Sequence, residues 1–531
     1  MPPAPVEQVG RPAPAAPAGA STSRPDPATP DHRWLTLVVL CVPLLIVSLD
    51  NTVLNVALPT LVRKLHATTS ELQWIVDAYV LVFGGLMLVA GSLADRVGRK
   101  WTFMAGLTAF AAGSTWAAFS GSVGMLIAAR ASMGIGAALI MPSTLSIITT
   151  VFTDRGERQR ALGVWSGTSG AGIALGPIVG GLLLAHFWWG SVFLINIPIA
   201  AVGLACALPL VPNSKNPVAE RIDRVGSLLS IAGLGLVLWA IIEAPTRGWS
   251  SALVICAGVC GLALLAGFLA WERSSDHAML NLRYFRKSRF SVAIVANGLL
   301  MFGLMGALFV LTQFMQFELG YTPIQAGVRI LPAAAAIAVV APLSALLVRR
   351  LGVKLTVTTG LLVAAVGLLQ ISGASTASTY GDTVLGMTML GVGAGLVLPS
   401  ATGSVMGSLP TEHTGVGSAT NGTLLQVGGA IGVAVVGSLL STRYEHRLTG
   451  PLVQYRVPHA VQQTILGSLG GALDVAGQIG GAGALLLAHV ARSGFISGMD
   501  LGLRTAAVVA LAGALLCAVA LPSRPGPEQE D

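Results

Sequence analysis

Charge is what this sequence has least of. Only 10% of its 531 residues are charged, against 53% hydrophobic ones, where soluble domains carry roughly a quarter. A water-soluble globule is excluded, and a mean hydropathy of +0.76 puts the chain in a bilayer. Lysine is rarer still: Lys64, Lys100, Lys215, Lys287 and Lys354 complete the set. The formal charge of +8 falls in short connections between apolar runs, where it sets orientation and meets anionic lipid rather than nucleic acid. The cysteines (Cys41, Cys206, Cys256, Cys260, Cys517) lie inside apolar runs and read as small hydrophobic packing. No Cys/His spacing resembles a metal site, and no His-Glu-x-x-His, phosphate loop or nucleophile constellation appears. The expectation is therefore no metal, no catalytic residue and no enzyme. The first 32 residues lack a signal peptide's apolar core and read as a disordered tail.

What the chain does have is long apolar runs. Fourteen reach about 20 residues, the length a bilayer requires: 34–58, 72–94, 102–121, 124–150, 161–184, 191–211, 225–244, 251–271, 290–316, 323–348, 355–373, 383–407, 416–440 and 501–521. Basic loops alternate with loops nearly empty of Lys and Arg, which places both termini in the cytoplasm. The fold class expected is an all-α integral membrane protein. A cytoplasmic tail (1–32) precedes a six-helix bundle (33–212). Two additional helices with cytoplasmic linkers (213–288) lead to a second six-helix bundle (289–521), and 522–531 form a closing tail. Residues 441–500 read as a long outer loop with an interfacial amphipathic helix, a re-entrant segment being the alternative, since Ala482–Val490 is too short to cross.

The two bundles repeat. The run Met133 to Ser143, with Gly134, Gly136 and Pro142, recurs ungapped 257 residues on as Leu390 to Ser400, with Gly391, Gly393 and Pro399. A weaker copy relates Leu93–Lys100 to Leu347–Lys354, 254 residues apart. Parallel repeats of this kind set a substrate path between two rocking halves.

Three charges lie deep in the first block. Asp50 sits about nine residues, roughly 13 Å, below the outer end of the first span. Asp77 and Arg130 lie roughly 8–10 Å down the second and fourth. Intramembrane charge is expensive, and its default reading is functional. A carboxylate whose distance from Arg130 changes between states takes up a proton facing one side and releases it facing the other. On the cytoplasmic loop after the second span, Gly91, Asp95, Arg96, Gly98, Arg99 and Lys100 combine tight-turn glycines with charges suited to a latch across the halves. In the fifth span Gly172, Gly176, Pro177, Gly180 and Gly181 combine a kink with small residues for close contact with the other half. Glu243, Glu272 and Glu318 lie at span ends, where solvation explains them, and Arg329 is expected to pair with Glu318.

At these residues the chain resembles the major facilitator superfamily, and within it the fourteen-span drug:proton antiporters. The 91–100 loop, Leu49–Pro59, Leu126–Gly136 and Gly172–Gly181 each look like a pattern of that group. Two positions depart: Trp189-Gly190-Ser191 replaces a Trp-Arg-Trp run, and Ile337 stands where exporters of dications carry Asp. The resemblance implies the major facilitator fold and export of amphipathic drugs or antibiotics through the cell membrane. It implies a monomer driven by protons, with no cofactor beyond the gradient. A symporter, or an exporter of an endogenous metabolite, is the alternative. The expected substrate lining includes Asn55, Asn297, Met301, Met305, Gln313 and Gln316, soft apolar surface with scattered hydrogen-bonding groups.

Overall fold

A chain in lipid must satisfy every backbone N–H and C=O within itself, and the result is a molecule of long helices. The computed structural model describes residues 30–215, 223–275, 282–409 and 414–522; most of both expected tails lies outside them. The first bundle comprises α1 (Pro30–Leu65), α2 (Thr69–Val97), α3 (Arg99–Ala118), α4 (Val123–Val151) and α5 (Arg155–His186). It closes with α6 (Ser191–Leu194) and α7 (Asn196–Leu210). After α8 (Arg224–Arg247), α9 (Ala252–Ser274) and the short α10 (Leu282–Phe285) comes the second bundle. It runs through α11 (Ser288–Gln313), a π-helical turn Phe314–Glu318, α12 (Pro323–Ser372) and α13 (Tyr380–Met406). It ends with α14 (Thr414–Gln454), α15 (His459–Gly467), α16 (Leu469–Ile479) and α17 (Gly481–Ala520).

Eleven described helices are long and apolar enough to span, or twelve with the bent pair Thr69–Met87 and Val89–Val97 counted as one. Fourteen is reached only by counting α12 twice and adding α3. The first step has a physical reason. The 50 residues of α12 would reach about 75 Å, far beyond a hydrocarbon core of about 30 Å, and the helix breaks at Gly352, φ 82°.

That break mirrors the turn between α2 and α3, where Gly98 has φ 122°; both are backbone conformations that favour glycine. The repeat extends to packing. A Cβ on Gly106 would lie 2.9 Å from the Gly136 carbonyl oxygen, and one on Gly360 would lie 3.1 Å from that of Gly393. Gly134 presses on the Tyr79 carbonyl at 2.7 Å, and its counterpart Gly391 on Ala333, 2.9 Å from its Cα. Such contacts leave no room for a side chain. A Cβ at Gly136 would also sit 2.6 Å from the Phe110 nitrogen, so Gly136→Leu overpacks the α3–α4 seam by about 1–3 kcal/mol or more. It is expected to abolish the monodisperse peak in size-exclusion chromatography of detergent extracts.

The pair α8–α9 is not a free linker. Ile231 fills the space at Gly85 of α2, the Ser438 hydroxyl of α14 donates to the Ile241 carbonyl at 2.6 Å, and Trp249 donates to Thr442 at 3.1 Å. Helix α8 thus braces the seam where α2 meets α14, and α9 packs chiefly on α8.

The segment 441–500 corrects an expectation. It is not a loop: α14 runs to Gln454, α17 starts at Gly481, and α15 and α16 form a cap between them. Ala482–Val490 belongs to α17 and is no interfacial helix. The cap lies over the ends of α1 and α2, where Gly470 meets Val62 and Phe317. The bundle therefore has a cap end and, opposite it, a basic end carrying the Gly98 and Gly352 turns.

Candidate functional site

The centre of the first bundle holds a buried ion pair. Asp50 on α1 and Arg130 on α4 are 2% and 1% exposed, and Arg130 Nη1 lies 2.5 Å from Asp50 Oδ2. Arg130 also donates from Nε to the Ile75 carbonyl at 3.1 Å and stacks over the Tyr79 ring, 4.3 Å from its centroid. Asn196 donates to the other Asp50 oxygen at 3.4 Å and to Ser114 at 3.1 Å. The short break between α6 and α7 at Ile195 sets Asn196 at the head of a new helix, pointing into this network. Two charges taken out of water hold together only when their remaining lone pairs and N–H groups are satisfied, and five helices (α1, α2, α3, α4 and α7) contribute to the network here. Neither Ser114 nor Asn196 is among the site residues expected from the sequence.

Asp77 is not part of this network. It is fully buried and neither carboxyl oxygen has a hydrogen-bond partner. Ile75 and Tyr79 face α4, whereas Gln73, four residues before Asp77, donates to Val433 and Ala434 of α14 at 3.1 and 2.8 Å. Seven residues after it, Gly84 accepts from Thr423 at 3.4 Å. Helical spacing thus sets Asp77 on the side of α2 turned towards α14. The expected trio resolves into a pair and a separate acid.

The latch residues make a different set of contacts from those expected. Arg99 pairs with Asp95 at 2.8 Å, donates to the Ser146 carbonyl at 3.2 Å and bonds Thr150. Lys100 donates to the Leu208 carbonyl at 2.6 Å, and the Arg99 amide to Ser214 at 3.0 Å. Gly91 lies beside Pro142 of α4, a Cβ on Gly98 would meet Asn213, and Arg96 is exposed. The hydrogen bonds of Asp95, Arg99 and Lys100 stay within the first bundle and the stretch leaving it, and none crosses to the second.

The α5 glycines also divide. Gly172, Gly176 and Gly180 pack on α1, against Ser48, Leu49 with Thr52, and Val53, so they grip the turn of α1 that carries Asp50. Of these α5 glycines Gly181 meets the second bundle, where a Cβ on it would lie 2.8 Å from the Pro323 carbonyl oxygen, while Gly327 of α12 abuts the Pro177 carbonyl. The halves therefore touch through α5 and α12 at the cap end, and through α2 and α14 from Gln73 as far as Met87, which meets Gly422. Towards the basic end of α5, a Cβ on Gly163, Gly167 or Gly170 would meet no atom of another described element within 4 Å.

The expected substrate lining is largely committed elsewhere. Gln316 donates to the Val56 carbonyl at 2.8 Å and faces Arg63 at 3.5 Å, so it ties the π-helical turn to α1 across the halves. Asn297 donates to Asn421 at 2.8 Å and Thr402 at 3.1 Å. Asn55 and Gln313 donate to carbonyls of their own helices, Asn51 and Phe309. Met301 and Met305 alone remain half-buried. Amides at membrane depth seek a partner before they line a path. Arg329 does not pair with Glu318: it stacks on Tyr321 and Tyr380, 3.9 and 5.6 Å from the ring centroids, and Glu318 pairs with Arg492 at 3.7 Å. Among the described residues, no group of three or more His, Cys, Asp or Glu is placed to hold a metal ion.

Two repeated helical bundles packed together through α2–α14 and α5–α12, with a buried acid–arginine pair in one of them, define a membrane transporter of two facing halves. Residues 40–433 match the Major Facilitator Superfamily, and the chain belongs to that family. It is 35% identical over 495 residues to the multidrug efflux pump LfrA of Mycolicibacterium smegmatis, covering 93% of this chain and 97% of that one. It is 32% identical over 504 residues to the tetracenomycin C resistance and export protein of Streptomyces glaucescens, covering 93% and 94%. Among solved structures, a bacterial homolog of the human lysosomal transporter Spinster, inward-facing and unoccupied, superimposes with a TM-score of 0.65 at 17% identity over 94% and 100% of the two chains. The human organic anion transporter MFSD10 gives 0.55 at 15% identity over 91% and 99%. These likenesses carry the fold.

Proposed function

We propose that this protein exports small amphipathic drugs or antibiotics across the cell membrane in exchange for protons. The observation that carries the reading is the buried Asp50–Arg130 pair, gripped through α5 by the contact that closes the cap end. The names of the efflux relatives support the substrate class. The basic loops support a cytoplasmic basic end, which makes the observed arrangement inward-facing. In that arrangement Arg130 is paired with Asp50. When the cap end opens and the pair separates, Asp50 takes a proton from outside; the return of Arg130 expels it inside. Asp77, which has no hydrogen-bond partner among the described residues at the meeting of α2 and α14, is the second acid of the coupling. The latch 91–100 engages the second bundle only when the basic end closes.

Inverted membrane vesicles test the proposal. A proton gradient is expected to drive uptake of a fluorescent amphipathic dye, and an uncoupler to abolish it. Uptake into right-side-out vesicles instead would make the protein a symporter, and flux indifferent to the uncoupler would remove the proton from the account. A growth-inhibition panel in a strain lacking its own pumps then names the substrates.

A further inference from the structure

One charge in the second bundle lies where lipid should be. From Leu501 on, one line of exposed side chains along α17 runs Leu501, Arg504, Val508, Leu511, Leu515 and Val519, flanked by the exposed Ala512, Leu516 and Ala518. Five of that line are apolar, as a lipid-facing stripe requires; the sixth is an arginine whose side chain is 62% exposed. Arg504 stands 16 residues, about 24 Å, from the basic end of the helix, so its root lies roughly 6 Å inside a hydrocarbon layer of about 30 Å. A guanidinium there extends along the helix towards the headgroups. Arg504 does so, with Nε 2.6 Å from Asp500 Oδ1 one turn nearer the cap end.

Beside that pair lies a cavity of about 340 Å³ between α17 and the turn joining α12 to α13. Hydroxyls dominate its wall: Ser375, Thr376, Ser493 and Ser497. Ser497 is engaged by Arg443 at 3.2 Å, while among the described residues Thr376 and Ser493 have no hydrogen-bond partner. The cavity thus offers free hydroxyl donors, the guanidinium edge not used by Asp500, and one carboxylate, all at the level where a leaflet ends. Phosphate is matched by arginine and hydroxyl donors, and an ammonium group by the carboxylate.

We propose that this cavity binds the headgroup of a phospholipid of the cap-end leaflet, its phosphate on Arg504 and the hydroxyls and its primary amine on Asp500. The tails then lie along the Leu501–Val519 stripe. The site is independent of the transport activity proposed above, and its test reads lipid rather than flux. Full-length protein purified in detergent is titrated with phosphatidylethanolamine or phosphatidylglycerol of matched tails, and bound lipid is counted by native mass spectrometry. Arg504→Gln is expected to raise the phosphatidylethanolamine concentration for half-occupancy by about tenfold, the scale of one charge-assisted hydrogen bond, and Arg504→Lys by far less. Asp500→Asn is expected to erase the preference for phosphatidylethanolamine over phosphatidylglycerol. Should Arg504→Gln fail to fold, the double change Thr376→Ala with Ser493→Ala leaves both charges and is expected to weaken retention several-fold. Equal retention by all variants overturns the site. Displacement by tail-free glycerophosphoethanolamine at equal concentration overturns the lipid as its occupant.

Discussion

Asp50→Asn is expected to abolish substrate accumulation while the protein still reaches the membrane. The size of the effect follows from the energy source. One proton crossing a potential of about 120 mV releases about 2.8 kcal/mol. Exchanged one for one against a neutral substrate, that holds a gradient of roughly 100-fold. Without a titrating group at position 50 the roughly 100-fold accumulation collapses to equality in inverted vesicles. Persistence of uphill uptake in the variant would remove Asp50 from the coupling.

A second set of variants separates coupling from folding. Asp50→Asn alone leaves the Arg130 charge buried at 1% exposure, and stranding one member of such a pair costs about 3–5 kcal/mol. Some loss of yield is therefore expected of Asp50→Asn and of Arg130→Gln taken singly. The double change removes both charges and leaves two amides able to bond each other and Asn196. It is expected to recover the melting temperature in detergent and none of the uphill transport. A purely structural pair would recover both.

How much of this was open to sequence reasoning depends on the kind of interaction. The helices and the repeat were legible because lipid enforces long apolar runs, and because Gly136 and Gly393 must sit on Gly106 and Gly360 with no side chain between. The Asp50–Arg130 pair was legible from depth alone, since a charge at that level needs a partner and few are within reach. Asp77 was at the right depth on the wrong face. Its orientation is set by Gln73 and Gly84 meeting α14, contacts between segments some 350 residues apart that no local pattern encodes. The 441–500 segment was misread because a span is recognised by about 20 apolar residues. The extensions of α14 and α17 carry Arg443, Glu445, His489 and Arg492 and continue as helix beyond the apolar part. Gln316 looked like lining because its neighbours are apolar; its amide was already committed to the Val56 carbonyl.

A disulfide between cysteines placed at Thr68 and Gly467 is expected to stop transport when oxidised and to release it on reduction. The Cβ of a side chain at Gly467 would lie 3.7 Å from that of Thr68, inside the range a disulfide accepts. The cap is continuous with α14 and α17 and is held to the second bundle by the Tyr444 hydroxyl, which donates to the Ile465 and Ser468 carbonyls at 2.9 and 3.3 Å. Its hold on the first bundle is slighter: the Thr69 hydroxyl to the Gly467 carbonyl at 3.2 Å, and Gly470 against Val62. If the cap end opens as proposed, the weaker side is expected to part first, with the cap travelling with α14 and α17 while α1 and α2 move away. A covalent bond across that line holds the halves together at one end for the whole cycle. In a background with Cys41, Cys206, Cys256, Cys260 and Cys517 replaced by serine or alanine, oxidation is expected to bring dye uptake to the level of empty vesicles, and dithiothreitol to restore it. Unchanged uptake by the fully oxidised protein would mean that the cap moves with the first bundle, and that the opening lies on its other side, where Arg492 meets Glu318.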